Sequence, residues 1–148
     1  MSKTLIICIG NLGRGDDGVA HLVADLIKAS LPTDTDLLTC HQLDIAMSHD
    51  ISEAGTVVFV DAAQRHDPLV ETFELSPAAR VPGGHAPDPE GLLGMAQQLY
   101  GRTPVAWLVA CAAPEMPHAE GLSDRAKAAS VEAASTVIQL VNDTGVAL

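Results

Sequence analysis

Leu5-Ile6-Ile7-Cys8-Ile9 is an unbroken apolar run that stops at Gly10. A strand wet on one face alternates polar and apolar residues, so a continuous run of this kind suits a strand covered on both faces of a parallel sheet. Beyond Gly10, Val19, Leu22, Val23, Leu26 and Ile27 recur at helical spacing as far as Ser30-Leu31-Pro32. An amphipathic helix therefore follows the first strand.

The remaining pattern repeats this alternation. Leu37 to Leu43 and Thr56 to Ala62 read as strands, with a short helix across Ile45 to Ala54 between them. Val70 to Leu75 alternates as a half-exposed edge strand does. Four prolines and two glycines make Ser76 to Pro89 a loop, which ends with Asp88 as N-cap and Pro89 at the first helical position. The stripe of that helix is Leu92, Leu93, Ala96, Leu99 and Tyr100; Val105 to Ala112 is a further buried strand. Ser123 caps a last helix whose Val131, Ala134, Ile138 and Val141 are expected to face inward. Strands alternating with helices predict a three-layer α/β fold, with a mostly parallel twisted sheet and helices on both faces. At 148 residues, 47% of them hydrophobic, the chain is expected to form one domain spanning residues 1–148.

Charge narrows the partners. Eight basic and 19 acidic residues give a net charge of -11, a field that repels nucleic acid and anionic membrane surfaces. The apolar start is too short for a signal segment or a membrane span, and a cytoplasmic location is expected. Cys8, Cys40 and Cys111 each sit in an apolar run without CxxC spacing, which reads as buried free thiols rather than a disulfide framework.

In a parallel sheet, ligands bind beyond the carboxyl ends of the strands, so residues following a strand carry the functional signal. The stretch IGNLGRGDDGVA, Ile9 to Ala20, has glycines at 10, 13 and 15, close to a dinucleotide fingerprint without matching it. Asp16 and Asp17 would compete with a phosphate for the N–H groups of the following helix. They suit a cation instead, although Asp16 also reads as an N-cap and Asp17 as a surface acid favoured by the helix dipole. Asp61, in VVFVDAA, either caps the next turn or faces the cleft. His85, in VPGGHAPDPE, is either a solvated loop residue or a nitrogen ligand. Two carboxylates and an imidazole suit a divalent transition metal such as nickel, zinc or cobalt. His118 and Glu120 follow the Val105 to Ala112 strand and are weaker candidates for the same cleft. His21 reads as lying on the polar side of the first helix, His49 and His66 as exposed loop or helix residues, and His41 as lying near a strand end. Neither GxSxG nor HExxH occurs, so the usual serine-hydrolase and zinc-protease signatures are absent.

Taken in order, GNLGRGDDGVA, HQLDIA, VVFVDAA, GGHAPDPEGLLGMAQQLYG and GLS before a last helix resemble the hydrogenase maturation endopeptidases over nearly the whole chain. The resemblance implies removal of a C-terminal extension from the large-subunit precursor of a nickel-iron hydrogenase, with nickel arriving in the precursor. It implies metal contact by Asp17, Asp61 and His85, and action as a cytoplasmic monomer. Three features depart from the family pattern: Asp17 stands where some members carry Glu, Cys8 or Ile9 replaces a leading glycine, and HQLDIAMSHD replaces a Gly-rich segment after the second strand. Two non-catalytic readings stand beside it, a Rossmann-like nucleotide binder and a chaperone of the hydrogenase large subunit.

Overall fold

The computed structural model describes residues 3–78, 87–116 and 121–146. Five strands, β1 (Thr4–Ile9), β2 (Thr35–Cys40), β3 (Thr56–Ala63), β4 (Val70–Leu75) and β5 (Val105–Ala112), form one sheet in the order β2-β1-β3-β5-β4. All neighbours are parallel except β4, which runs antiparallel to β5 at the edge. The edge position explains the alternation read from β4: Phe73 is 41% exposed, whereas β1 is buried throughout.

Helices α1 (Val19–Ile27), α2 (Met47–Glu53), α3 (Pro89–Tyr100) and α4 (Asp124–Val146) cover both faces. The two-residue period of a strand divides the core. Ile6, Cys8, Val58, Val60, Val109 and Cys111 pack under α1 and α4, while Leu5, Ile7, Val57, Phe59 and Ala106 pack under α2 and α3. This is the three-layer α/β arrangement expected from the sequence. Each fully buried large side chain, such as Phe59 or Ile6, contributes about 1.5–3 kcal/mol by leaving water.

Three details differ from the sequence reading. β2 occupies Thr35–Cys40 rather than Leu37 to Leu43, because its ladder runs with β1 from Thr4↔Thr35 to Ile9↔Cys40 and β1 ends there; Leu43 is buried in the connection to α2. Along α4 the inward residues are Ala126, Ala129, Ala133, Val137 and Val141, and Val131 is 65% exposed. Since α4 packs on α1 as well as on β5, the small alanines face the contact and permit close approach. Leu99 and Tyr100 in the last turn of α3 are exposed, with the Tyr100 ring edge-on to His49 of α2 at 5.2 Å.

Both helix caps follow the sequence. Asp88 Oδ1 accepts the Gly91 N–H at 2.7 Å, and Ser123 Oγ accepts the Ala126 N–H at 3.1 Å. No helix among the described residues is long and apolar enough to cross a membrane.

Candidate functional site at the β1–β3 switch point

From β1 the chain passes through α1 to β2 on one side, whereas β3 pairs with the other side of β1. In α/β sheets such a reversal is where ligands bind, in the crevice outside the carboxyl ends of the strands. The turn that carries Asp17 follows the carboxyl end of β1. Asp61 lies in β3, one position beyond the Cys8↔Val60 pair.

The turn is built from backbone hydrogen bonds that only short or glycine residues permit. Gly10 N–H donates to Cys40 O at 3.0 Å, fixing the start of the turn to the end of β2. Asn11 Oδ1 accepts the Gly13 N–H at 2.8 Å, an Asx turn. Gly15 has φ 55, the left-handed conformation that favours glycine. A 3-10 turn, Gly15–Gly18, then leads into α1. Asp17 folds back so that its Oδ2 accepts the Asn11 N–H at 3.1 Å.

Asp16 is not the helix cap read from the sequence. It is fully buried; its Oδ1 accepts Ser123 N–H at 2.7 Å, and its Oδ2 accepts Glu115 N–H at 2.8 Å and Ser123 Oγ–H at 2.7 Å. A buried carboxylate needs donors of this kind. Its partners lie 99 and 107 residues away, beyond the reach of any local motif.

Asp61 Oδ1 accepts the N–H of Ala62 at 2.8 Å. Burial pushes its carboxyl up to about 6, the Ala62 hydrogen bond opposes the shift, and the charge of Asp17 adds to it. The two aspartates are therefore close enough to repel one another. Across β5, Asp61 and Glu71 both stand opposite Ala110, but Glu71 is neutralised by Arg65, Nη1 to Oε1 at 2.8 Å. Asp17 and Asp61 each lack an ion-pair partner among the described residues, and unlike Asp16 neither is saturated by hydrogen-bond donors. Each has one oxygen committed to a backbone N–H and one left over, Asp17 Oδ1 and Asp61 Oδ2.

His85, His118 and Glu120 lie outside the described residues. His21 is a residue that the sequence reading placed on the polar side of α1; its Nε2 is 2.7 Å from Gly10 O. Its position four residues after Asp17, one helical turn on, was the available signal.

The thiols are free. Burial pushes Cys8 and Cys111 up to about 12, and it also raises half-buried Cys40, helped by the charge of Asp61. A separate group of metal-ligand type, His49, Asp50 and Glu53, brings one ligand atom from each residue within 4.8 Å of the others. All three are exposed on α2, where Asp50 and Glu53 face Lys3 before the start of β1. Spacing on a solvated helix face accounts for that grouping.

No family model and no curated protein matches the sequence. Solved structures do match. The hydrogenase maturating endopeptidase HybD from E. coli superposes with a TM-score of 0.73 at 16% identity, covering 97% of this chain and 94% of that one. The [NiFe] hydrogenase maturation protease HycI from Thermococcus kodakarensis KOD1 gives 0.73 at 22% identity, over 95% and 93% of the two chains. A hydrogenase 2 maturation peptidase from a Thaumarchaeota archaeon gives 0.68 at 23%, over 94% and 97%. The chain thus has the fold found in the hydrogenase maturation endopeptidases, along nearly its whole length.

Proposed function

We propose that this chain is a hydrogenase maturation endopeptidase that removes the C-terminal extension of a nickel-loaded [NiFe] hydrogenase large-subunit precursor. The observation that carries the reading is the pair Asp17 and Asp61, two uncompensated carboxylates converging at the switch point of this fold. Such a pair is costly without a cation between its members. A nucleotide is disfavoured there, because Asp17 takes the Asn11 N–H that a phosphate would need.

In this reading nickel is part of the substrate, and Asp17, Asp61 and His85 are the residues that contact it; another divalent transition metal would suit the same donors. Asp17 Oδ1 and Asp61 Oδ2 are the oxygens available for that contact. Seating the precursor there brings its scissile bond alongside the carboxylates, converting hydrolysis into a positioned reaction. Asp61, with its carboxyl near 6, is suited to take a proton from water as the water oxygen bonds to the scissile carbonyl carbon, and to return that proton to the amine nitrogen as the C–N bond breaks. We assign the protein to the cytoplasm, acting as a monomer.

The test is the intact mass of nickel-loaded precursor after incubation with wild-type protein, Asp17→Asn, Asp61→Asn and His85→Ala. Wild type should shorten the precursor at its C-terminus and leave nickel-free precursor intact. Each variant should fold and fail to process. Full processing by Asp61→Asn or His85→Ala would refute the metal-contact reading, and an unshortened precursor with wild type would refute the protease reading.

A further inference from the structure

His21 Nε2 lies 2.7 Å from the carbonyl oxygen of Gly10, and its side chain is half-buried. A carbonyl can only accept, so the proton is on Nε2 and the imidazole donates. Gly10 itself stands against Asp17: a Cβ at Gly10 would meet the Asp17 carbonyl oxygen at 2.0 Å and its carbon at 3.2 Å. The next residue, Asn11, gives its N–H to Asp17 Oδ2 at 3.1 Å. The Gly10 carbonyl and the Asn11 N–H belong to the same peptide plane, so orienting one orients the other.

We infer that His21 is a positioning residue for Asp17. By holding the Gly10 carbonyl, it turns the Gly10–Asn11 peptide so that the Asn11 N–H meets the Asp17 carboxylate, which then presents Oδ1 to the crevice. The Gly10 N–H bond to Cys40 belongs to the preceding peptide, so without the imidazole the rotation of the Gly10–Asn11 plane is less restricted. The consequence for processing rests on the function proposed above; the consequence for Asn11 and Asp17 does not.

The experiment follows the Asn11 amide resonance by 1H–15N NMR in wild type, His21→Leu, His21→Gln and Asp17→Asn, together with kcat and KM for nickel-loaded precursor. A hydrogen bond to a carboxylate moves an amide proton downfield. His21→Leu should shift it upfield toward its Asp17→Asn position, and His21→Gln, whose side-chain amide can donate from a similar reach, should restore it. In processing, His21→Leu should lower kcat by roughly 10-fold to 100-fold with little change in KM, because the carboxylate is misplaced rather than removed. If His21→Leu does not fold, His21→Asn takes its place, being polar but too short to reach Gly10. An Asn11 amide unmoved in the variant that folds overturns the inference. An amide that moves while wild type leaves the precursor intact supports the positioning role and refutes the protease reading.

Discussion

A side chain at Gly10 would collide with Asp17, since a Cβ there would lie 2.0 Å from the Asp17 carbonyl oxygen. The end of β1 and the candidate ligand turn are in backbone contact, with neither able to move without the other. Gly10→Ala should therefore destabilise the fold by about 3 kcal/mol, at the upper end of overpacking penalties. Gly101→Ala is the control: its φ is 71 and nothing lies within 4 Å of the added Cβ, so the cost is backbone strain of about 1 kcal/mol. Urea unfolding of the two variants measures the difference, and equal losses would contradict the packing argument.

Asp16→Asn tests the buried carboxylate. The sequence suggests a mild effect, but the structure gives Asp16 three donors and no exposure. An amide in its place turns an N–H toward a donor, so a loss of about 2 kcal/mol is expected, rising with Asp16→Ala as all three donors lose their acceptor. Denaturant midpoints of both variants provide the check; wild-type stability in either would remove Asp16 from the architecture.

Asp61 makes stability depend on pH. Its carboxyl is raised from 3.8 to about 6 in the folded protein, so between these values the native state binds the proton more tightly than the unfolded chain does. Its contribution is fully present below 3.8 and disappears as pH rises through 6. A shift of this size amounts to on the order of 2–3 kcal/mol. Asp61→Asn cannot ionise, so its stability relative to wild type should climb between about pH 4 and pH 7 and then level off. Paired unfolding curves across that range measure it, and a constant difference would show that Asp61 is not raised.

Removing the neighbouring charge should act in the opposite sense. Asp17→Asn takes away the repulsion that helps to raise Asp61, so the Asp61 carboxyl carbon should titrate at lower pH in the variant by 13C NMR. An unchanged midpoint would mean that the two carboxylates do not share one crevice.

Thiol reactivity should follow burial. Cys8 and Cys111, pushed up to about 12, stay protonated at pH 8, while Cys40 is only half-buried. Iodoacetamide should label Cys40 first in the native protein and reach the other two on unfolding. Peptide mapping that finds Cys8 or Cys111 labelled as quickly as Cys40 would contradict this order.

The layered fold was legible because its signals are local. The unbroken run before Gly10 marks a strand covered on both faces, and Asp88 and Ser123 bond within three residues of themselves. What stayed hidden depended on distant partners. Hydrophobicity favours Val131 as an inward residue of α4, yet the contact with α1 selects Ala129 and Ala133 for their size. Likewise, nothing beside Asp16 in the sequence distinguishes a cap from a carboxylate bound to Ser123. Asp17 stood out because it follows a strand and Asp61 because it lies two positions before the end of one, and chain order alone reveals both.

The bonds from Asp16 to Glu115 and Ser123 also set a sequence in time. During synthesis the β1 strand and its turn emerge first, but the donors that hold Asp16 are made 99 and 107 residues later. Until they arrive, the turn bearing Asp17 lacks its anchor. A nascent chain ending before Ser123 would therefore carry every residue of the aspartate pair and still not hold them in their final arrangement.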